Sequence, residues 1–397
     1  MLDSKLHGGH PRARVMLSVP PGQRFSCRRC GRCCKGWNVM VEPAERERLL
    51  AVDWARISPR LRGAALFEEV RPPDQTEPAI STAHVGERCV FLEDDNLCLI
   101  HRVLGEQAKP LTCRRFPLVI TLVGDTALVG ADYACPTMVR SEGVPLQIDE
   151  EIVTAWLGRA ESGPTSPGRG TAEQELRLSP GVRMDWDGYL VLEAELAGIM
   201  GMDVGSPAFR WAACRQILAD LAAWGLQNRS LRRDDVRSLL GGQDRKTLWP
   251  EPAEEDRLLP RIEEVAHLMG ATETPHSPAT GLGSAAIGYS MAVVEGSGDL
   301  FVPSLGAWVD LEELGRVERW PSRPELGDLL SRFAMNYLHR GSMLGSPSLR
   351  DGWDFLGKCL TLVGWYAAAS AVLAGRRSVE MDDLVAGIVA VERGYVP

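Results

Sequence analysis

The chain has 397 residues, 45% hydrophobic and 24% charged, with a net charge of −9. That is ordinary globular composition, long enough for two or three domains. The acidic balance argues against nucleic acid or an anionic membrane as partner.

Residues 1–22 read as a flexible arm rich in Gly, Pro and Arg, with no continuous apolar segment that would serve as an export signal. The chain is therefore expected in the cytoplasm, where thiols stay reduced. A cysteine-rich stretch, 23–145, follows, with short strand-like pieces and tight turns. Within it WNVMVE (37–42) alternates as a strand does, and PAERERLLAV opens a short helix with Pro43 suited to its first turn. CVFLEDDNLCLIH (89–101) predicts a hairpin or a turn into a helix, and FPLVITLVGDTALVGADY (116–133) predicts two strands around Gly124–Asp125. Residues 146–180 read as a linker, centred on ESGPTSPGRGTAEQE (161–175).

Residues 181–397 predict a helical domain. WDGYLVLEAELAGIM, SPAFRWAACRQILADLAAWGLQ, EEDRLLPRIEEVAHLMG, PELGDLLSRFAMNYLHR and SVEMDDLVAGIVAVERG all repeat apolar residues at three- and four-residue spacing. ATETPHSPATGLGSAAIGYS (271–290) reads as a long loop. Its glycine-rich GLGSAAIG follows no strand, so no nucleotide-binding turn is expected there. The uncharged run Cys359–Gly375 is at the lower length limit for a membrane span and is diluted by Gly, Ser and Thr, so it reads as a buried core helix. The fold class expected is α+β: a small, irregular, cysteine-rich metal-binding domain with short strands, then a mostly α-helical domain.

Eight of the ten cysteines lie in the first third: Cys27, Cys30, Cys33, Cys34, Cys89, Cys98, Cys113 and Cys135. A two-residue gap lets two thiolates turn toward one ion, and Cys27–Cys30–Cys33 repeats that gap. All eight are candidate metal ligands. Adjacent side chains such as Cys33 and Cys34 diverge in an extended segment. One of the two therefore serves a second site or stands free, and eight thiols fill either two four-ligand sites or one site with spares. Arg24, Arg28, Arg29, Arg32 and Lys35 crowd the first cluster, and Arg114 and Arg115 flank Cys113. Such cations offset the charge of about −2 on a four-thiolate zinc or oxidised four-iron centre. Of His7, His10, His84 and His101, only His101 is a histidine candidate, three residues after Cys98. Cys214 and Cys359 sit on helical patterns and read as core thiols. Tyr133 beside Asp132 would suit proton removal, but a structural role is the expectation for both.

CxxCxxCC (27–34), CVFLEDDNLCLI (89–100) and CRRFP (113–117) together resemble the YkgJ-type cysteine-cluster family, which implies a zinc- or iron-chelating domain over roughly residues 25–140. A narrower resemblance, to flagellin lysine-N-methylases, rests on Cys33-Cys34-Lys35-Gly36-Trp37, LGEQAKPLTCRRFP (104–117), ACPTMVR (134–140) and NYLHR (336–340). It implies an iron–sulfur cluster, of the 4Fe-4S kind, in preference to zinc. It also implies S-adenosylmethionine-dependent methylation of lysine on a flagellin-like protein partner. The leading cysteines here are more evenly spaced than in those enzymes. The alternative function is a non-enzymatic zinc- or iron-binding module for metal storage, sensing or delivery.

Overall fold

The computed structural model describes residues 14–71, 78–123, 126–162, 176–242, 259–273, 284–319 and 323–396. The architecture is α+β, as expected: short strands dominate the first third and helices the remainder. His7 and His10 lie outside the described residues, as does most of the glycine- and proline-rich centre of the linker segment.

A small core forms around Leu49, Trp54, Phe91, Leu99 and Ile100. The helix Pro43–Leu50 builds one wall. Proline occupies its first turn, and Glu42 and Glu45 cap it reciprocally. Trp54 packs edge-on against Phe91, 5.2 Å between ring centroids, and its indole N–H donates to the Leu49 carbonyl. Two hairpins, Phe67–Val70 with Ala79–Thr82 and His84–Val85 with Arg88–Cys89, close the other side. Residues 37–42 form no strand, only an isolated bridge of Met40 to Ser81 in the second of these strands, though Val39 and Val41 are buried on one side as the alternation predicts. After Cys89 a bend leads into the helix Leu99–Leu104, again as read from the sequence.

The second sheet joins this region to the helices. Leu118–Val123 and Thr126–Ala131 pair antiparallel, and Arg14–Leu17 adds in parallel to the latter. Arg14–Leu17 falls in the stretch read as a flexible arm; only four residues long, its apolar signal is too short to register against the Gly and Pro around it. Every residue of Thr126–Ala131 is buried. The sheet lies against the helices so closely that a Cβ on Gly130 would stand 2.3 Å from the Arg340 Cβ. One continuous core then runs from Val15, Ala127 and Val129 through Tyr337, Trp353 and Ile388.

Its centre is the helix Leu349–Leu373. By length and composition this helix could cross a membrane, but 72% of its apolar window is buried inside the protein. The helix Met381–Gly394 packs along it, and Gly387 lets the two backbones approach. Trp211 and Trp353 donate their indole N–H groups to each other's carbonyls, tying the helix Pro207–Asn228 to the same core.

Two further segments depart from the sequence reading. Within 146–180, Glu150–Ser162 is a helix and Leu176–Ser179 a strand. Within 271–290, residues 271–273 end the helix Ile262–Glu273 and residues 284–290 begin the helix Ser284–Glu295. Small residues permit that packing: a Cβ on Gly270 would meet the Ala286 carbonyl oxygen at 2.3 Å. Close contact between two helices outweighs the loop-like composition.

Candidate metal centre

The loop carrying Cys27, Cys30, Cys33 and Cys34 is held by backbone chemistry at both ends. At its start Arg24–Phe25 pairs with Val144–Pro145, and Gln23 donates to the Met138 carbonyl. At its end Lys35 bridges to Arg88, and the Gly36 N–H donates to the Glu87 carbonyl. Gly31 lies between, with φ 70°, where a Cβ would stand 2.7 Å from the Asn96 side-chain oxygen. Only glycine fits this left-handed position against the 93–98 bend. Arg32–Cys34 then forms one tight 3-10 turn.

The other four thiols come from three places. Cys89 ends the strand Arg88–Cys89, and its thiol lies 3.5 Å from the Thr82 hydroxyl. Cys98 precedes the helix Leu99–Leu104, and a ladder bridge joins it to Leu92. Cys113 is inside the short helix Leu111–Arg115, which is tied down where Thr112 donates to the Met40 carbonyl. Cys135 precedes the helix Pro136–Arg140.

All eight line a single cavity of about 530 Å³. Cys27, Cys30 and Cys33 are exposed; Cys34, Cys98 and Cys113 are half-buried; Cys89 and Cys135 are buried. The Cys33 and Cys34 sulfurs are 3.8 Å apart. Among the described residues, however, no three His, Cys, Asp or Glu side chains already stand together closely enough to hold an ion. Convergence is thus on a shared cavity and not on a preformed coordination sphere. The donor set fits a thiolate-bound zinc or iron–sulfur centre: eight soft sulfurs on one wall system with cations among them. Cys214 and Cys359 are fully buried in the helical core, as core thiols should be.

Proton affinity distinguishes the thiols. The hydrogen bond from Cys34 lowers Cys33 to about 7, aided by Lys109 and Arg393. The same shared hydrogen bond, with burial, pushes Cys34 up. Burial also raises Cys89 and Cys113, and takes Cys135 to about 11. An incoming metal must therefore displace protons from several of these groups.

Of the cations named from the sequence, Arg28, Arg29, Arg32 and Arg115 line the cavity. Arg28 is also paired with Glu142 at 2.8 Å, and the Arg115 guanidinium stacks on Trp156 at 4.2 Å. Lys109, which sequence reasoning missed, lines the cavity and lowers both the Cys33 and Cys113 thiols. Its place in AKPLTC, four residues before a candidate ligand, was the available signal. His101 also lines the cavity, whereas His84 is bonded to Glu68 at 2.8 Å. Tyr133 is fully buried, its hydroxyl donating to Gln23, and an Asp132 oxygen accepts from the Ala134 N–H. These bonds hold both residues in the fold, and Asp132 also lines the cavity.

Arg393 was invisible in the sequence. It comes from the last turn of Met381–Gly394 and donates to the carbonyls of Arg32 and Lys35, at 3.2 and 2.5 Å. Its guanidinium also lies 5.3 Å from the Trp37 ring. The preceding residue, Glu392, points the other way, into a buried ion pair with Arg340, and accepts from the Tyr133 N–H.

The chain is similar to flagellar biosynthetic protein FliU of Salmonella muenchen, with 26% identity over 104 residues. The match covers 26% of this chain and spans about 60% of the length of that relative. No solved structure matches the chain. Residues 26–136, the stretch that contains all eight cavity cysteines, match the CxxCxxCC family, described as "Putative zinc- or iron-chelating domain".

Proposed function

We propose that the chain holds an iron–sulfur or zinc centre in its cysteine cavity, and that this centre serves a protein lysine N-methyltransferase using S-adenosylmethionine. The observation that carries the metal reading is the meeting of thiols from four separated stretches on one cavity. Eight sulfurs with cations interspersed suit either four-thiolate zinc or a four-iron cluster. The preference for iron–sulfur, and for lysine methylation, comes from the resemblance to flagellin lysine-N-methylases and from the partial match to a flagellar protein.

Methyl transfer needs a neutral lysine amine, hence a base and a water-poor site. Tyr133 is committed to Gln23, which leaves Asp132 and Glu106 as the acids on the cavity wall among the described residues. A flagellin-like protein rich in surface lysines is the substrate class this reading takes. The second reading is a metal storage, sensing or delivery module. Tyr133's burial favours it, because the wall then offers few groups for proton removal.

Anaerobic purification tests the metal. Bound iron with sulfide and a brown colour supports the cluster; zinc in a colourless protein supports the zinc form; no metal overturns the proposal. Transfer of labelled methyl from S-adenosylmethionine to flagellin or another lysine-rich protein supports the enzyme. No transfer by metal-replete protein across several such substrates supports the module.

A further inference from the structure

We propose that the eight thiols divide into two four-thiolate sites: an inner one of Cys34, Cys89, Cys98 and Cys113, and an outer one of Cys27, Cys30, Cys33 and Cys135. The inference rests on the reading of the cavity as a metal centre and deepens it.

The division follows the anchoring of the loop. Its first end is sewn to the segment around Cys135: the Val144 N–H reaches the Ser26 hydroxyl, and Gln23 reaches the Met138 carbonyl. Its second end is sewn to the segment carrying Cys89 and Cys98, through Lys35 with Arg88 and through Gly31 against Asn96. The first end therefore carries Cys27 beside the Cys135 segment, and the second carries Cys34 beside the Cys89–Cys98 segment.

Packing draws the same line. Cys89 belongs to the smaller core, and Cys34 and Cys98 pack against it. Cys135 belongs to the larger core. Cys33 is exposed and Cys34 half-buried against the smaller core, though the 3-10 turn holds their sulfurs 3.8 Å apart where an extended segment would have made them diverge.

Cys113 joins the inner set by the same geometry: Thr112 donates to the Met40 carbonyl, and the Leu111 N–H donates to Glu45 on the helix that walls the smaller core. The two sites adjoin at the Cys33–Cys34 step, where the sulfurs lie 3.8 Å apart.

Stoichiometry supplies the motive. A tetrahedral ion and a four-iron cluster each take four thiolates, so one centre would leave four thiols without a role.

The test is a Co²⁺ titration of the reduced, metal-stripped full chain, following thiolate-to-cobalt charge transfer and the ligand-field bands of tetrahedral cobalt. The parent should saturate at two equivalents. Cys27→Ala should keep one, Cys98→Ala should keep one, and the double variant should keep none. Far-UV circular dichroism checks that each variant is folded. Cys27 is exposed, so that variant remains informative if Cys98→Ala misfolds. Saturation of the folded parent at one equivalent would overturn the division while leaving the metal reading intact. So would loss of both equivalents from folded Cys27→Ala. No cobalt binding by the folded parent would overturn both.

Discussion

Arg393→Ala should weaken metal binding without unfolding the protein. The side chain makes two hydrogen bonds to the carbonyls that close the Cys33–Cys34 turn, and one cation–π contact with Trp37. A hydrogen bond involving a charged group contributes about 1.5–3 kcal/mol when buried. An exposed cation–π contact adds about 0.5–1 kcal/mol. Arg393 is exposed, and water replaces much of what is lost. About 1–2 kcal/mol of loop order should then disappear, which is roughly a 5- to 30-fold loss of metal affinity. Competition between the protein and a chelator for Zn²⁺ measures this. Arg393→Lys keeps the charge and can still donate to a carbonyl but loses the planar guanidinium beside Trp37, so it should fall between parent and alanine. Unfolding by urea should shift less than the affinity does, because the helix itself stays packed on the larger core. Unchanged zinc affinity in folded Arg393→Ala would refute the reasoning, as would an affinity loss fully matched by a loss of global stability.

Zinc affinity should rise steadily from pH 6 to pH 9. Cys33 is lowered to about 7 and Cys135 raised to about 11, the hydrogen bond with Cys33 and burial raise Cys34, and burial raises Cys89 and Cys113, so metal must release protons; a flat profile would contradict this. Gly31→Ala forces a side chain into φ 70° and against Asn96, and should cost about 1–3 kcal/mol in urea unfolding together with a loss of metal retention. Arg340→Ala leaves Glu392 buried without its partner and should cost about 3–5 kcal/mol, read from urea midpoints. Burial already raises Glu392 to about 7 against an ordinary 4.5, so a folded-state proton stabilises the protein below that range. The contribution is therefore lost as pH rises from about 4.5 through 7, and the Arg340→Ala defect should be larger at pH 8 than at pH 5.

The parts of the fold legible in the sequence are those with local causes. Pro43 opens its helix because a first turn needs no N–H there, and in WNVMVE the alternation shows which side chains are covered, Val39 and Val41. The long helices follow from their apolar spacing, including the run from Cys359, buried as its diluted composition implied. Nonlocal contacts were not legible. Arg14–Leu17 is a strand only because Thr126–Ala131 is there to pair with it. Residues 284–290 are helical because Gly270 admits them. The thiols announced themselves by number and spacing, but Lys109 carried only a weak signal and Arg393 none. A lone arginine some 360 positions from the loop it holds has no sequence pattern to betray it.

Glu392 and Arg393 are successive residues of one helix, one buried in an ion pair and the other fastened to the cysteine loop. That arrangement sets what metal can and cannot do for folding. The larger core is built from apolar side chains that need no ion, and it anchors the helix that clamps the loop. The smaller core has only ten buried hydrophobic residues, one of them Cys89, with Cys34 and Cys98 packed on it. Apolar area that small supplies little stability by itself, so the smaller core is where bound metal would contribute most to folding. Chelation should accordingly loosen the region around Phe91 and Trp54 while the helices hold. The loop would stay tethered by Arg393, poised to close again when metal returns.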